Sequence, residues 1–149
     1  MDPIEFPVDF IEFLRLLGEN DVEYLLVGGF AVAVHGYPRA TADMDVWVAR
    51  SKDNGRRIVA TLRAFGFDVP ELNESLFREP DRIVRMGVAP LRIELLTSID
   101  GVDFDECVVR AVDLDVAGNV IPVIGLDDLK ANKLASGRSK DLADLDNLP

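Results

Sequence analysis

Asp43-Met44-Asp45 is the element of this chain best suited to chemistry. On an extended strand side chains alternate in direction, so the two carboxylates share one face about 6–7 Å apart. Held that close they repel unless a cation lies between them, and Mg²⁺ favours oxygen ligands of this kind. Upstream, Gly28-Gly29 follows an apolar run and lets backbone amides come close to phosphate. Arg39 and Thr41 precede the aspartates on the same alternating set, so extended backbone from Arg39 onward would turn all four side chains to one face. These parts describe a metal-dependent nucleotide site.

Each part also has a plainer explanation. Gly28-Gly29 alone could be a tight turn. No Gly-Lys-Ser/Thr follows it, and the third glycine of a dinucleotide fingerprint is missing. Arg39 could serve only as a salt-bridge partner for the aspartates. Two further Asp-x-Asp sets, Asp103-Phe104-Asp105 and Asp113-Leu114-Asp115, lack any glycine approach or arginine–threonine pair. The first reads as acidic surface loop and the second as the solvated face of a strand. Trp47 continues the Asp43–Asp45 face and reads as packing at its rim.

Glu94 is the expected third acid, because it interrupts the apolar run Ile93-Glu94-Leu95-Leu96, where an unpaired carboxylate is costly. Its plainer role is a salt bridge with Arg92 or Arg82. Near the C-terminus Lys133, Arg138 and Lys140 gather around a helix start. Cations there oppose the helix dipole, and a bound triphosphate would account for them, although an ordinary charged helix face would too.

These residues need a frame to hold them. The apolar spacing predicts a helix over 9–17 begun by an Asp9–Glu12 cap and ended at Gly18, then a buried strand over 23–27 and a short helix over 30–34. A strand over 43–48 follows, then a helix capped by Ser51 and stopped by Gly66, with a short edge strand over 67–69. Further strands are expected over 82–86 and 91–96 as a hairpin across Gly87-Val88-Ala89-Pro90, and over 108–116 and 120–123 around Gly118-Asn119. Helices over 126–136 and 140–148 close the chain. The expected class is α/β (α+β), a mixed sheet flanked by helices, in a single domain over residues 1–149.

Composition narrows the partners. With 149 residues and a formal charge of −11, the chain is too acidic to offer a broad surface to duplex DNA. One cysteine and one histidine leave no internal disulfide and too few soft ligands for zinc. The opening Met1–Glu5 is acidic rather than basic, and no apolar run is long enough to cross a bilayer, so a cytoplasmic location and no membrane partner are expected.

Val27-Gly28-Gly29-Phe30-Ala31, His35-Gly36, Arg39-Ala40-Thr41 and Asp43-Met44-Asp45 resemble the DNA polymerase β-like nucleotidyltransferase superfamily. The tail, Asp127-Asp128-Leu129 through Gly137-Arg138-Ser139-Lys140-Asp141-Leu142, is similar to small bacterial members related to the abortive-infection type toxins. That resemblance implies transfer of a nucleoside monophosphate from an NTP with loss of pyrophosphate; a hydroxyl of tRNA or protein is the first acceptor expected, and ATP binding is expected with it. It implies two Mg²⁺ ions, with Mn²⁺ as a substitute, on Asp43, Asp45 and Glu94. It further implies a nucleotide held by Gly28, Gly29, Arg39, Thr41, Lys133, Arg138 and Lys140. His35 would be a structural contact behind the glycines. The superfamily more often has aspartate where this chain has Glu94. A toxin–antitoxin module with a cognate partner is one expected setting. An antibiotic-modifying enzyme completed by a homodimer, or an inactive nucleotide-binding module, are the alternatives.

Overall fold

The computed structural model describes residues 5–39, 41–88 and 91–149. In chain order the elements are α1 (Val8–Glu19), β1 (Tyr24–Val27), α2 (Gly28–Val34), β2 (Asp43–Val48), α3 (Lys52–Phe65), a 3-10 turn (Glu74–Arg78), β3 (Ile83–Val88), β4 (Leu91–Leu96), α4 (Phe104–Val108), β5 (Val112–Val116), β6 (Asn119–Val123), α5 (Leu126–Ser136) and α6 (Ser139–Asn147). The strands form one six-stranded sheet in the order β3-β4-β2-β1-β6-β5. It is mixed: β2 runs parallel to β4 and β1 to β6, whereas β1–β2, β3–β4 and β5–β6 are antiparallel. The expected α+β class is therefore the observed one.

Strand β1 is buried along its whole length, as Tyr24-Leu25-Leu26-Val27 dictates. In β2 Met44 and Val46 point into the core, and the alternation leaves Asp43 and Asp45 on the other face. Helix α1 buries Phe10, Phe13, Leu14 and Leu17, and α3 buries Ile58, Val59 and Leu62. Ser51 caps α3 by accepting the Asn54 amide, and Gly66 ends it in the left-handed region at φ 100°. Buried Asn54 fastens that helix to the sheet. Its amide donates to the carbonyls of Glu23 and Ala49, and its oxygen accepts the Glu23 N–H.

Four expectations need correction. Helix α1 is preceded by Pro7 with no side-chain cap, and it runs past Gly18 to Glu19. Glu12 pairs instead with Arg15, three residues on. Residues 67–69 are irregular, and β3 and β5 form the two sheet edges. The stretch 108–116 is not one strand. Phe104 and Cys107, one helical turn apart, pack inward and hold α4, and β5 begins only at Val112. Finally, β3 extends beyond the expected 82–86 to Val88, while Ala89-Pro90 of the expected turn lie outside the described residues, as does Ala40. No helix among the described residues is long and apolar enough to cross a membrane.

Candidate functional site

The parallel register of β2 and β4 sets Asp45 beside Glu94 and Asp43 beside Arg92. Antiparallel β3 then sets Arg85 beside Glu94. All ten residues singled out from the sequence line one cleft of about 690 Å³: Gly28, Gly29, Arg39, Thr41, Asp43, Asp45, Glu94, Lys133, Arg138 and Lys140. Side chains drawn from four strands and helices thus converge above the sheet.

Asp45 is the centre of the cleft and its least comfortable group. Its Oδ1 is buried with no hydrogen-bond partner. Burial pushes its pKa up to about 7, and the neighbouring charges of Glu94 and Asp43 add to the rise against a smaller opposing pull from Lys133. A carboxylate that resists ionisation and has a bare inward oxygen is a site short of positive charge. Asp43 is held by Arg92, whose Nε and Nη2 donate to its two oxygens at 3.2 and 3.3 Å. Glu94 accepts from Arg85 Nε at 3.0 Å. With two acids turned to arginines, no three acidic, histidine or cysteine side chains among the described residues are gathered tightly enough to hold a metal ion as they stand. The donors are nevertheless all carboxylate oxygens, which suits Mg²⁺ or Mn²⁺ and not a thiophilic metal.

The glycine pair makes this crowding feasible. Gly28 has φ 67°, and a Cβ there would lie 2.2 Å from Asp45 Oδ2. A Cβ on Gly29 would lie 2.7 Å from Thr41 Oγ1. Gly28→Ala is accordingly expected to lose about 1–2 kcal/mol from the backbone alone, and more from displacing Asp45. Paired urea titrations of variant and parent measure the loss.

The cations are organised by acids that the sequence reading did not assign. Arg39 donates Nε and Nη2 to Asp144 at 2.8 and 3.0 Å. Lys133, only 5% exposed, reaches Asp141 at 3.2 Å and Asp144 at 3.1 Å. Arg138 donates to Asp141 from Nε at 2.7 Å. Burial pushes both carboxyls up, but Arg138, Arg39 and Lys133 outweigh it and hold them below the usual range. Lys140 is exposed and, among the described residues, has no carboxylate partner. One part of this network was legible: Asp141 and Asp144 stand three apart, hence on one face of α6, although that spacing does not name the cations they meet.

Several simpler expectations find their answer here. Arg39 does form a salt bridge, but with Asp144 and not with the Asp43–Asp45 pair. Glu94 pairs with Arg85, neither Arg92 nor Arg82; the register of β3 against β4 decides this, and the expected hairpin did not specify that register. His35 donates Nε2–H to the Ile124 carbonyl at 2.6 Å. Trp47, 1% exposed, meets Phe104 edge-on with ring centroids 5.2 Å apart and is a core residue. Asp103, Asp105, Asp113 and Asp115 are all exposed.

No protein-family profile matches the chain. No curated protein matches it in sequence. Among solved structures it resembles a candidate nucleotidyltransferase from Thermotoga maritima, with a TM-score of 0.58 over 92% of this chain and 88% of that one. Identity is 16%, so the likeness is one of fold.

Proposed function

We propose that the cleft is the active site of a nucleotidyltransferase that moves a nucleoside monophosphate from an NTP to a hydroxyl acceptor. The observation that carries this reading is Asp45: its Oδ1 is buried without a hydrogen-bond partner among the described residues, its Oδ2 lies against Gly28, and Glu94 and Asp43 are the neighbouring carboxylates. Asp43, Asp45 and Glu94 would hold Mg²⁺, which when bound supplies charge stabilisation at the reacting phosphate and its leaving group.

This chain's own groups account for the rest. The backbone N–H groups of Gly28 and Gly29 donate to the terminal phosphates, because no side chain stands in the way. Thr41 and Arg39 border the same loop. Lys140 supplies the uncommitted positive charge. The acceptor oxygen forms a bond to the α-phosphorus, the bond to pyrophosphate breaks, and Glu94 accepts the proton released by the acceptor. Because Lys140 is exposed and makes no ion pair among the described residues, Lys140→Ala is expected to weaken NTP binding about tenfold while leaving the melting temperature nearly unchanged. Calorimetric titration with each NTP and Mg²⁺ reads the first and a thermal melt the second.

The deciding experiment is incubation with α-labelled NTPs, Mg²⁺ or Mn²⁺, and total RNA and protein from a bacterial lysate. A labelled RNA or protein band that Asp45→Asn abolishes supports the proposal. Absence of label with every NTP and both ions would sink it.

A further inference from the structure

The cleft is asymmetric about Asp43 and Asp45. In the sheet order β3-β4-β2-β1, strand β2 carries the aspartates, the glycine pair follows β1 on one flank, and β4 with β3 form the other. That other flank carries Arg85, which lines the cleft, and Arg92, which holds Asp43 from beside it. Arg85 stands opposite Glu94 and Arg92 two residues from it on the same strand, so all three share a face, with the arginines as diagonal neighbours about 7–8 Å apart.

Their condition differs from that of Lys133, the enclosed cation beside α6. The Arg85 and Arg92 side chains are 60% and 41% exposed, against 6% for Lys133. Arg85 spends one N–H on Glu94, and Arg92 spends two on Asp43. A guanidinium has five N–H donors, so both keep donors for an incoming anion. Residues 78–92 also hold four arginines against two acids, in a chain whose net charge is −11.

Resting on the function proposed above, we infer that Arg85 and Arg92 form an anion subsite for a phosphate of the acceptor, which makes the acceptor the end of a single-stranded RNA. In-line displacement places attacking and leaving oxygens on opposite sides of the transferred phosphorus. If the leaving pyrophosphate lies over the glycines beyond β1, the attacking hydroxyl arrives from the β4–β3 flank. A terminal ribose brings a phosphodiester with it, and a bidentate guanidinium fits that group. A protein hydroxyl brings none. Any oxygen of Asp43 or Glu94 that turns to a cation is withdrawn from Arg92 or Arg85, which frees further donors for the strand.

The test is fluorescence anisotropy of a labelled mixed-sequence oligoribonucleotide, with Mg²⁺ and a non-hydrolysable NTP analogue, on the intact chain and on Arg85→Gln, Arg92→Gln and Arg85→Lys. Each glutamine variant should weaken RNA binding about tenfold and reduce the salt slope by roughly 0.7. Affinity for the NTP analogue should move far less, and Arg85→Lys should recover part of the loss. RNA affinity and salt slope unchanged in both glutamine variants would overturn the subsite and leave the nucleotidyltransferase reading standing. Equal losses of RNA and NTP affinity would overturn it too, by moving these arginines to the nucleotide. If the parent chain binds no NTP analogue, the nucleotidyltransferase reading fails and the subsite falls with it.

Discussion

Asp45→Asn should abolish nucleotide transfer and at the same time make the metal-free protein more stable above neutral pH. Loss of the central carboxylate removes several kcal/mol of transition-state stabilisation, a rate decrease of about a thousandfold or more. The stability gain comes from the pKa of about 7 that the buried Asp45 has in the folded chain, against 3.8 for a free aspartate. A group whose folded pKa is raised holds its proton more tightly in the native state. Its stabilisation is complete below pH ~4 and is lost as pH rises to ~7, where the folded protein too must ionise it. The difference of about 3 pH units corresponds to at most about 4 kcal/mol. Asparagine has no proton to lose, so the variant's melting temperature at pH 8 should exceed the parent's by several degrees, and the gap should close by pH 4. The same titration makes Mg²⁺ compete with a proton: its apparent affinity for the parent should rise between pH 6 and 8. Melts across pH with and without Mg²⁺, together with label transfer, test both halves. A variant that keeps transferring label would remove Asp45 from the chemistry.

Lys133→Met should be the most destabilising single change among the cations of the cleft. Its ammonium lies between Asp141 and Asp144, whose side chains are 1% and 3% exposed. Methionine keeps the apolar stem but leaves two buried carboxylates with only Arg138 and Arg39. Breaking a buried pair by removing one member costs about 3 kcal/mol, or roughly 10 °C for a chain of this size. Here the sign with pH is opposite to that of Asp45. The folded pKa values of Asp141 and Asp144 are held low, so the stability they confer is present above pH ~4 and is lost as pH falls through those values. Removing Lys133 should shift acid unfolding to higher pH. Far-ultraviolet circular dichroism followed from pH 7 downward reads the midpoint. A midpoint and melting temperature equal to the parent's would mean that Lys133 is not part of the fold's ionic framework.

How much of this the sequence disclosed depended on the range of the interactions. Asp43, Asp45 and the glycine pair could be read locally, because strand alternation and a strand-to-helix turn fix their directions within a few residues. Ser51 and Gly66 likewise marked helix ends through chemistry confined to one turn. What escaped was set by pairing across the sheet or between helices. The partner of Glu94 depends on the register of β3 against β4, and a shift of two residues would have substituted a different side chain for Arg85. The commitment of Arg39 and Lys133 to α6 depends on how that helix packs, which no local pattern reveals. Residues 108–116 misled because their valines suit either structure. The inward packing of Cys107 and Phe104 selected the helix.

Arg39 and Asp144 are separated by 105 positions in the chain, and both belong to the wall of one cleft or its supports. The glycine pair and both aspartates therefore leave the ribosome long before the carboxylates that balance the surrounding cations have been made. Closing so wide a loop is entropically costly and slow. A nascent chain halted before α6 would carry Asp43 and Asp45 but not the network that holds Arg39 and Lys133 in register with them. Assembly of the cleft is thus deferred until α6 has been made, and a product terminated before α6 would be left without it.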